Sequence, residues 1–162
     1  MTMHYRSLLL PLLLGSLSLG TATASLAAGG HDHHQQHGDS VQTLRLDNGK
    51  RWVTDAPLRK AMGELGSALH ATHDAIHQDR LPTAEYERLA ALVNDRVAYM
   101  VKNCSLPEQA DAQLHLVIAS LLAGAEEMAG HGGEGRRAGA VRVIMALNDY
   151  GSHFDHPGFK RF

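Results

Sequence analysis

The chain has 162 residues, 44% of them apolar and only 5% aromatic, with a formal net charge of −2. That length accommodates one domain with a proper core and little more, and the near-neutral balance argues against a nucleic-acid-binding protein, which normally carries a basic patch. A single cysteine excludes an intramolecular disulfide, a cysteine-based zinc site and haem attachment through a C-x-x-C-H run.

The first residues read as an address. One basic residue, Arg6, precedes an apolar run from Leu8 to Leu19, and the small residues Thr21 to Ala28 come next. This order describes a secretory signal peptide over residues 1–27, cleaved after Ala24 or Ala27. The run is too short to span a bilayer, so the expectation is an exported chain with no membrane attachment after signal cleavage, periplasmic in a bacterium. Residues 28–40 include His31, Asp32, His33, His34 and His37 and no large apolar residue. Such a segment cannot bury enough surface to offset its ordering entropy, which predicts a disordered His-rich tail.

Val41 to Leu46 alternates at period two, Asp47-Asn48-Gly49 is a turn signal, and Lys50 to Thr54 is a second β-prone piece. Residues 41–54 therefore form an extended arm or a small hairpin, with Trp52 packing onto the helical region after it. From residue 55 to 156 the apolar spacing is helical. Thr54 or Asp55 caps a first helix that runs to about Asp79, with Pro57 in its first turn and Leu58, Met62, Leu65, Leu69 and Ile76 as its inward stripe. Leu81-Pro82 breaks it. Thr83 caps a second helix to about Asn103, with Tyr86, Leu89, Ala90, Val93, Val97, Met100 and Val101 on one face. Ser105 and Glu108 form a capping box for a third, which carries Leu114, Val117, Ile118, Leu121, Leu122, Ala125 and Met128 inward. After a glycine-rich connection bracketed by the solvated charges of Glu126-Glu127 and Arg136-Arg137, a fourth helix runs from about Arg136 to Phe154. It uses Val141, Ile144, Met145, Leu147 and Tyr150, and residues 157–162 are a C-terminal tail. Short connections make successive helices antiparallel neighbours, so the fold class is all-α, an up-down-up-down four-helix bundle.

Twelve histidines against fifteen Lys plus Arg make histidine the expected carrier of the chemistry. His70, His73, Asp74 and His77 lie three and four apart on the first helix, and such neighbours share a face. Neutral imidazole suits zinc, copper and nickel, with Asp74 as an oxygen ligand or an orienting partner. The tail histidines His31, His33, His34 and His37 form a second set of metal ligands. A third cluster, Asp149, His153, Asp155 and His156, closes the fourth helix and reads as a helix-end group that fixes the C-terminal segment. His115 reads as a partly buried histidine bonded to a neighbour, and Cys104 as a buried or helix-end thiol. No nucleophile elbow, phosphate loop, H-E-x-x-H or dinucleotide fingerprint occurs, which leaves an enzyme the least supported class.

Three segments, Asn48–Arg59, Asn103–His115 and Tyr150–Gly158, resemble a family of small exported proteobacterial helical-bundle proteins of unsettled function. That resemblance implies a compartment and a bundle, not a mechanism. A weaker one is to the periplasmic b-type cytochrome four-helix bundles, which hold haem between a methionine early in the first helix and a histidine late in the fourth. Met62 and His153 occupy comparable places, and that likeness implies haem b with Met/His ligation. The reading of the chain is thus an exported binder of transition-metal ions, copper or zinc, acting as buffer or carrier. The alternatives are a haem b electron carrier and a non-catalytic interaction protein with a protein partner or a homodimer.

Overall fold

The computed structural model describes residues 43–162. The expected signal peptide, the tail with His31, His33, His34 and His37, and the first two residues of the arm lie outside the described residues. Four helices come after the arm: α1 (Ala56–His77), α2 (Thr83–Asn103), α3 (Glu108–Ala129) and α4 (Arg136–His153).

Each helix starts and stops for a local reason, and two of these differ from the sequence expectation. Of the two caps expected for α1, Thr54 and Asp55, it is Asp55 that serves, its Oδ1 accepting from the Leu58 N–H at 2.8 Å. Its other oxygen, Oδ2, accepts from the Ser105 N–H at 2.7 Å, so one carboxylate ties the start of α1 to the α2–α3 connection. The Ser105–Glu108 capping box therefore does not form; Pro107 stands at the N-cap of α3 without a side-chain bond. Thr83 is likewise the first helical residue of α2 and not its cap, a place taken by Pro82. In both cases a proline, fixed in φ and pre-shaped for a helix entry, occupies the position. Gly130, at φ +95°, closes α3 in the left-handed conformation that a side chain would oppose.

The helix ends alternate between the two ends of the molecule. The N-terminus of α1 sits with the α2–α3 connection through Asp55 and with the C-terminus of α4 through the arm. At the opposite end Arg137 of α4 donates to the Ile76 and His77 carbonyls of α1, at 3.0 and 3.2 Å. Arg136 donates to the Met128 carbonyl of α3 and pairs with Glu87. These arginines are thus not free solvated charges: they satisfy carbonyls that the ends of α1 and α3 leave without helical partners.

Leu58, Ala61, Met62, Leu65, Leu69 and Ile76 of α1 are fully buried, facing Val93, Leu121, Val143, Leu147 and Tyr150 among others in one core. Three residues expected on inward faces are exposed instead: Val101 (74%), Met145 (62%) and Leu122 (37%). Each immediately follows a buried residue (Met100, Ile144, Leu121), and one residue on a helix is a rotation of roughly 100°. Glu127, expected to be solvated, is buried; its Oε1 takes Arg142 at 2.9 Å while Oε2 has no partner. It is held there because α3 and α4 approach so closely at Gly124 and Gly139 that a Cβ on Gly139 would lie 2.7 Å from the Glu127 Cβ.

The described arm is extended, with a single tight turn and no hairpin beyond it. Asp47 and Lys50 exchange both backbone bonds at 2.8 Å, with Asn48 and Gly49 at φ +47° and +82°, the geometry that an Asn-Gly pair favours. Trp52 then bridges α4: its N–H donates to the His153 carbonyl and its carbonyl accepts from the Asp155 N–H, both 2.8 Å. The indole Nε1 donates to the Arg45 carbonyl, which leaves the ring buried against the core as expected. Residues 157–162 do not trail away. They double back as a strap between α1 and α4, with Phe159 over Gly66 and Gly151 and the Phe162 N–H donating to Asn148 Oδ1 at 2.8 Å.

Candidate metal centre on the first helix

The buried stripe of α1 faces the core along its whole length, so its other side carries the polar residues. Over the last two turns that side is histidine. The His73 and His77 rings meet edge to face with centroids 4.3 Å apart, as a spacing of four on a helix allows. His77 is exposed and His73 half-buried. Asp74 is almost fully exposed, with Oδ1 3.7 Å from His73 Nδ1.

His70 belongs to the same face by spacing, yet it is engaged elsewhere. Its Nε2 donates to the Lys160 carbonyl of the strap at 3.1 Å, and its ring stacks on Phe162 with centroids 3.8 Å apart at 16°. Phe162 also touches His73, at 5.5 Å between centroids. The four expected ligands are therefore split: His73 meets His77 on one side and Asp74 on the other, and the strap holds His70. Among the described residues no three His, Cys, Asp or Glu side chains are grouped so as to hold a metal ion.

Below His70 the strap and α1 enclose a cleft of about 290 Å³, lined by Gly63, Gly66, Ser67, His70, His156 and Phe159 among others. His156 forms its far wall. The phenol of the fully buried Tyr150 lies 2.9 Å from His156 Nδ1. Burial raises the Tyr150 pKa above its ordinary value, so the hydroxyl stays protonated and donates to the imidazole. Burial, and then the Arg59 guanidinium, lower the His156 pKa, which favours the neutral ring that accepts this bond.

The remaining candidates take separate places. Met62 is fully buried in the core. His153 lies at the end of α4 with Nδ1 2.8 Å from the Asp149 carbonyl, and neither residue lines the cleft under the strap. A haem between them would require the core around Met62 to open. The backbones of His153 and Asp155 anchor the arm that precedes α1, not the C-terminal segment. His115 is exposed, not partly buried; its Nδ1 lies 2.9 Å from the Asp111 carbonyl one turn back. Cys104 caps α2 half-buried. Burial first, and then the neighbouring Asp55 carboxylate, push its thiol up to about 12, so the free thiol stays protonated near neutral pH.

Sequence reasoning missed the strap and the Tyr150–His156 pair. The one available signal was the pair of aromatic residues, Phe159 and Phe162, in a short segment after Pro157-Gly158, matched by glycines at 63, 66 and 151 with no hydrophobic periodicity to explain them. No helix among the described residues is long and apolar enough to cross a membrane. No protein-family model matches the chain, and neither a curated protein nor a solved structure is similar to it.

Proposed function

We propose that this chain is an exported, non-catalytic binder of transition-metal ions, copper or zinc, that buffers or carries them, with His73 and His77 as the paired ligands of its helical domain. The observation that carries the reading is the contact between these two rings, 4.3 Å apart on an open helix face. Two imidazoles one turn apart need only a change of rotamer to present nitrogen lone pairs to one ion; His77 is exposed, and His73 is half-buried beside Phe162. Asp74, one residue from His73 and exposed, supplies an oxygen ligand or an acceptor that orients the His73 ring. Remaining coordination positions are open to water, as in a site that loads and unloads. The tail histidines His31, His33, His34 and His37 form a separate set of the same chemistry, and the signal-peptide pattern of residues 1–27 suits a compartment where metal traffic is extracellular or periplasmic.

The test uses the full chain with the four tail histidines replaced by glutamine, so that only the helical domain is read. Equilibrium dialysis against Zn²⁺ and Cu²⁺ is expected to give one equivalent bound. His73→Ala with His77→Ala should weaken binding by more than the roughly 10- to 100-fold typical of losing a group that only orients a ligand. Unchanged affinity in the double variant would overturn the assignment.

A further inference from the structure

We infer that the strap, Pro157–Phe162, competes with the metal ion for the histidine face of α1: His70 is a third ligand held in reserve, released when the strap lifts. The inference rests on the metal-binding reading above and adds to it a ligand and a control.

Three observations on different atoms converge on it. The first is spacing: His70, His73 and His77 fall at i, i+3 and i+7, within one helix face, with His73 about 4.5 Å of rise from His70 and about 6 Å from His77. The second is which nitrogen is taken. The strap's Lys160 carbonyl occupies His70 Nε2, at 3.1 Å, and this is the outer ring nitrogen. Nδ1 lies beside Cβ, close to the backbone, whereas Nε2 reaches far enough from the helix to share an ion with residues a turn away. The third is Phe162, whose ring covers His70 at 3.8 Å and reaches His73 at 5.5 Å. One side chain of the strap therefore lies against two of the three ligands, while His77, beyond its reach, pairs freely with His73.

The chemistry of the exchange is a tautomer change. With the strap down, Nε2 carries the proton and donates to Lys160. For an ion to bind, the proton moves to Nδ1, the Nε2 lone pair goes to the metal, and the carbonyl and the Phe162 stack are given up. No proton leaves a neutral imidazole overall. The strap is built to be given up: Lys160 and Arg161 are exposed and Phe159 and Phe162 only half-buried. By linkage, the factor by which the strap weakens metal binding equals the factor by which metal weakens the docked strap.

The experiment again uses the full chain with the tail histidines replaced by glutamine, titrated with Zn²⁺ alone. Two quantities are read by NMR: zinc affinity, and hydrogen-exchange protection of the Phe162 amide, which is bonded to Asn148. Phe162→Ala removes the stack while leaving all three histidines, and should tighten zinc binding about two- to tenfold, the range set by the worth of a stacked aromatic pair. His70→Ala should lower affinity and leave a weaker site on His73 and His77. In the parent chain zinc should abolish Phe162 protection, and in His70→Ala zinc should not change the protection remaining. Zinc binding with an unaltered Phe162 amide would overturn the inference while sparing the metal site. Weaker binding in Phe162→Ala would also overturn it, by showing that the strap orients His70 for the ion. No zinc binding dependent on His73 and His77 would remove the metal reading itself, and the competition with it.

Discussion

The two flanks of α4 are built on opposite plans. Toward α3 the helix is seated backbone against backbone: a Cβ on Gly139 would lie 2.6 Å from the Gly124 carbonyl oxygen and 2.7 Å from the Met128 nitrogen. Toward α1 the helices are held apart, and the strap fills the space with Phe159 and Phe162. The close approaches there are to side chains of the strap and not to helix backbone: a Cβ on Gly66 would lie 3.2 Å from the Phe159 ring and one on Gly151 2.7 Å from Arg161 Cγ, while one on Gly63 would come no nearer than 3.9 Å to His156. At its glycines the tight seam leaves no room for a side chain, and the charged groups along it, the buried Glu127–Arg142 pair and Arg136 on the Met128 carbonyl, are bonded across it. The open seam holds His70, His156 and a cleft, with His73 and His77 beside it. Rigidity and chemistry are thus assigned to different sides of one helix, as expected where a site draws on the less stable parts of a fold.

The sharpest way to break this comparison is to add one methyl group to each flank. In Gly139→Ala the improved helix propensity of about 1 kcal/mol opposes an overpacking cost of about 3 kcal/mol or more, because the atoms in the way are backbone and cannot rotate aside. The net expectation is a loss of about 2 kcal/mol, read from denaturant midpoints, or a fall in Tm of about 4 °C per kcal/mol lost for a fold of this size. Gly63→Ala meets only ordinary van der Waals contact, so propensity wins and the chain gains about 0.5–1 kcal/mol. Equal losses in both variants would show that the two flanks are equally close and would remove the distinction.

Phe159→Ala probes the open flank directly. The ring lies against Gly66 and Gly151 and meets Tyr150 edge to face at 5.1 Å, but it is only half-buried. Its truncation should cost about 1–2 kcal/mol, below the full value for burying a phenylalanine. Gly139→Ala should slow exchange nowhere, whereas Phe159→Ala should raise exchange at the Phe162 amide selectively. A uniform rise over all four helices would mean that the strap is part of the cooperative core.

These flanks were not equally legible in the sequence. The four helices, their breaks at Pro82 and the glycine connection, the Asp55 cap and the packing of Trp52 came from apolar spacing, proline and turn chemistry, because those signals are local. The capping box at Ser105 was misread for the same reason: its partner is Asp55, 50 residues away, and no local rule carries that. Glu127 looked solvated because its burial depends on the Gly124–Gly139 approach, which needs two helices at once. The candidate ligands His70, His73 and His77 could be placed on one face from spacing alone. The strap that separates His70 from the others could not, since six residues after a Pro-Gly break have no period to read.

The smallest effect concerns His156, on the wall of the open flank. Burial and Arg59 hold its pKa below the ordinary value near 6.5, while in the unfolded chain it titrates as an exposed histidine. Between those two values the unfolded state binds a proton that the folded state does not, so stability rises with pH across that window. The stability associated with neutral His156 is complete above pH 6.5 and declines as pH falls through the lower, folded-state value. Acid also removes the lone pair that accepts from Tyr150, whose phenol then loses its acceptor within the core. Urea midpoints at about pH 7.5 and pH 5 should therefore differ more for the parent chain than for His156→Gln, whose amide oxygen accepts from Tyr150 without titrating. Should the two chains lose stability equally on acidification, the proton is taken up elsewhere, and the open flank is not where this fold senses acid.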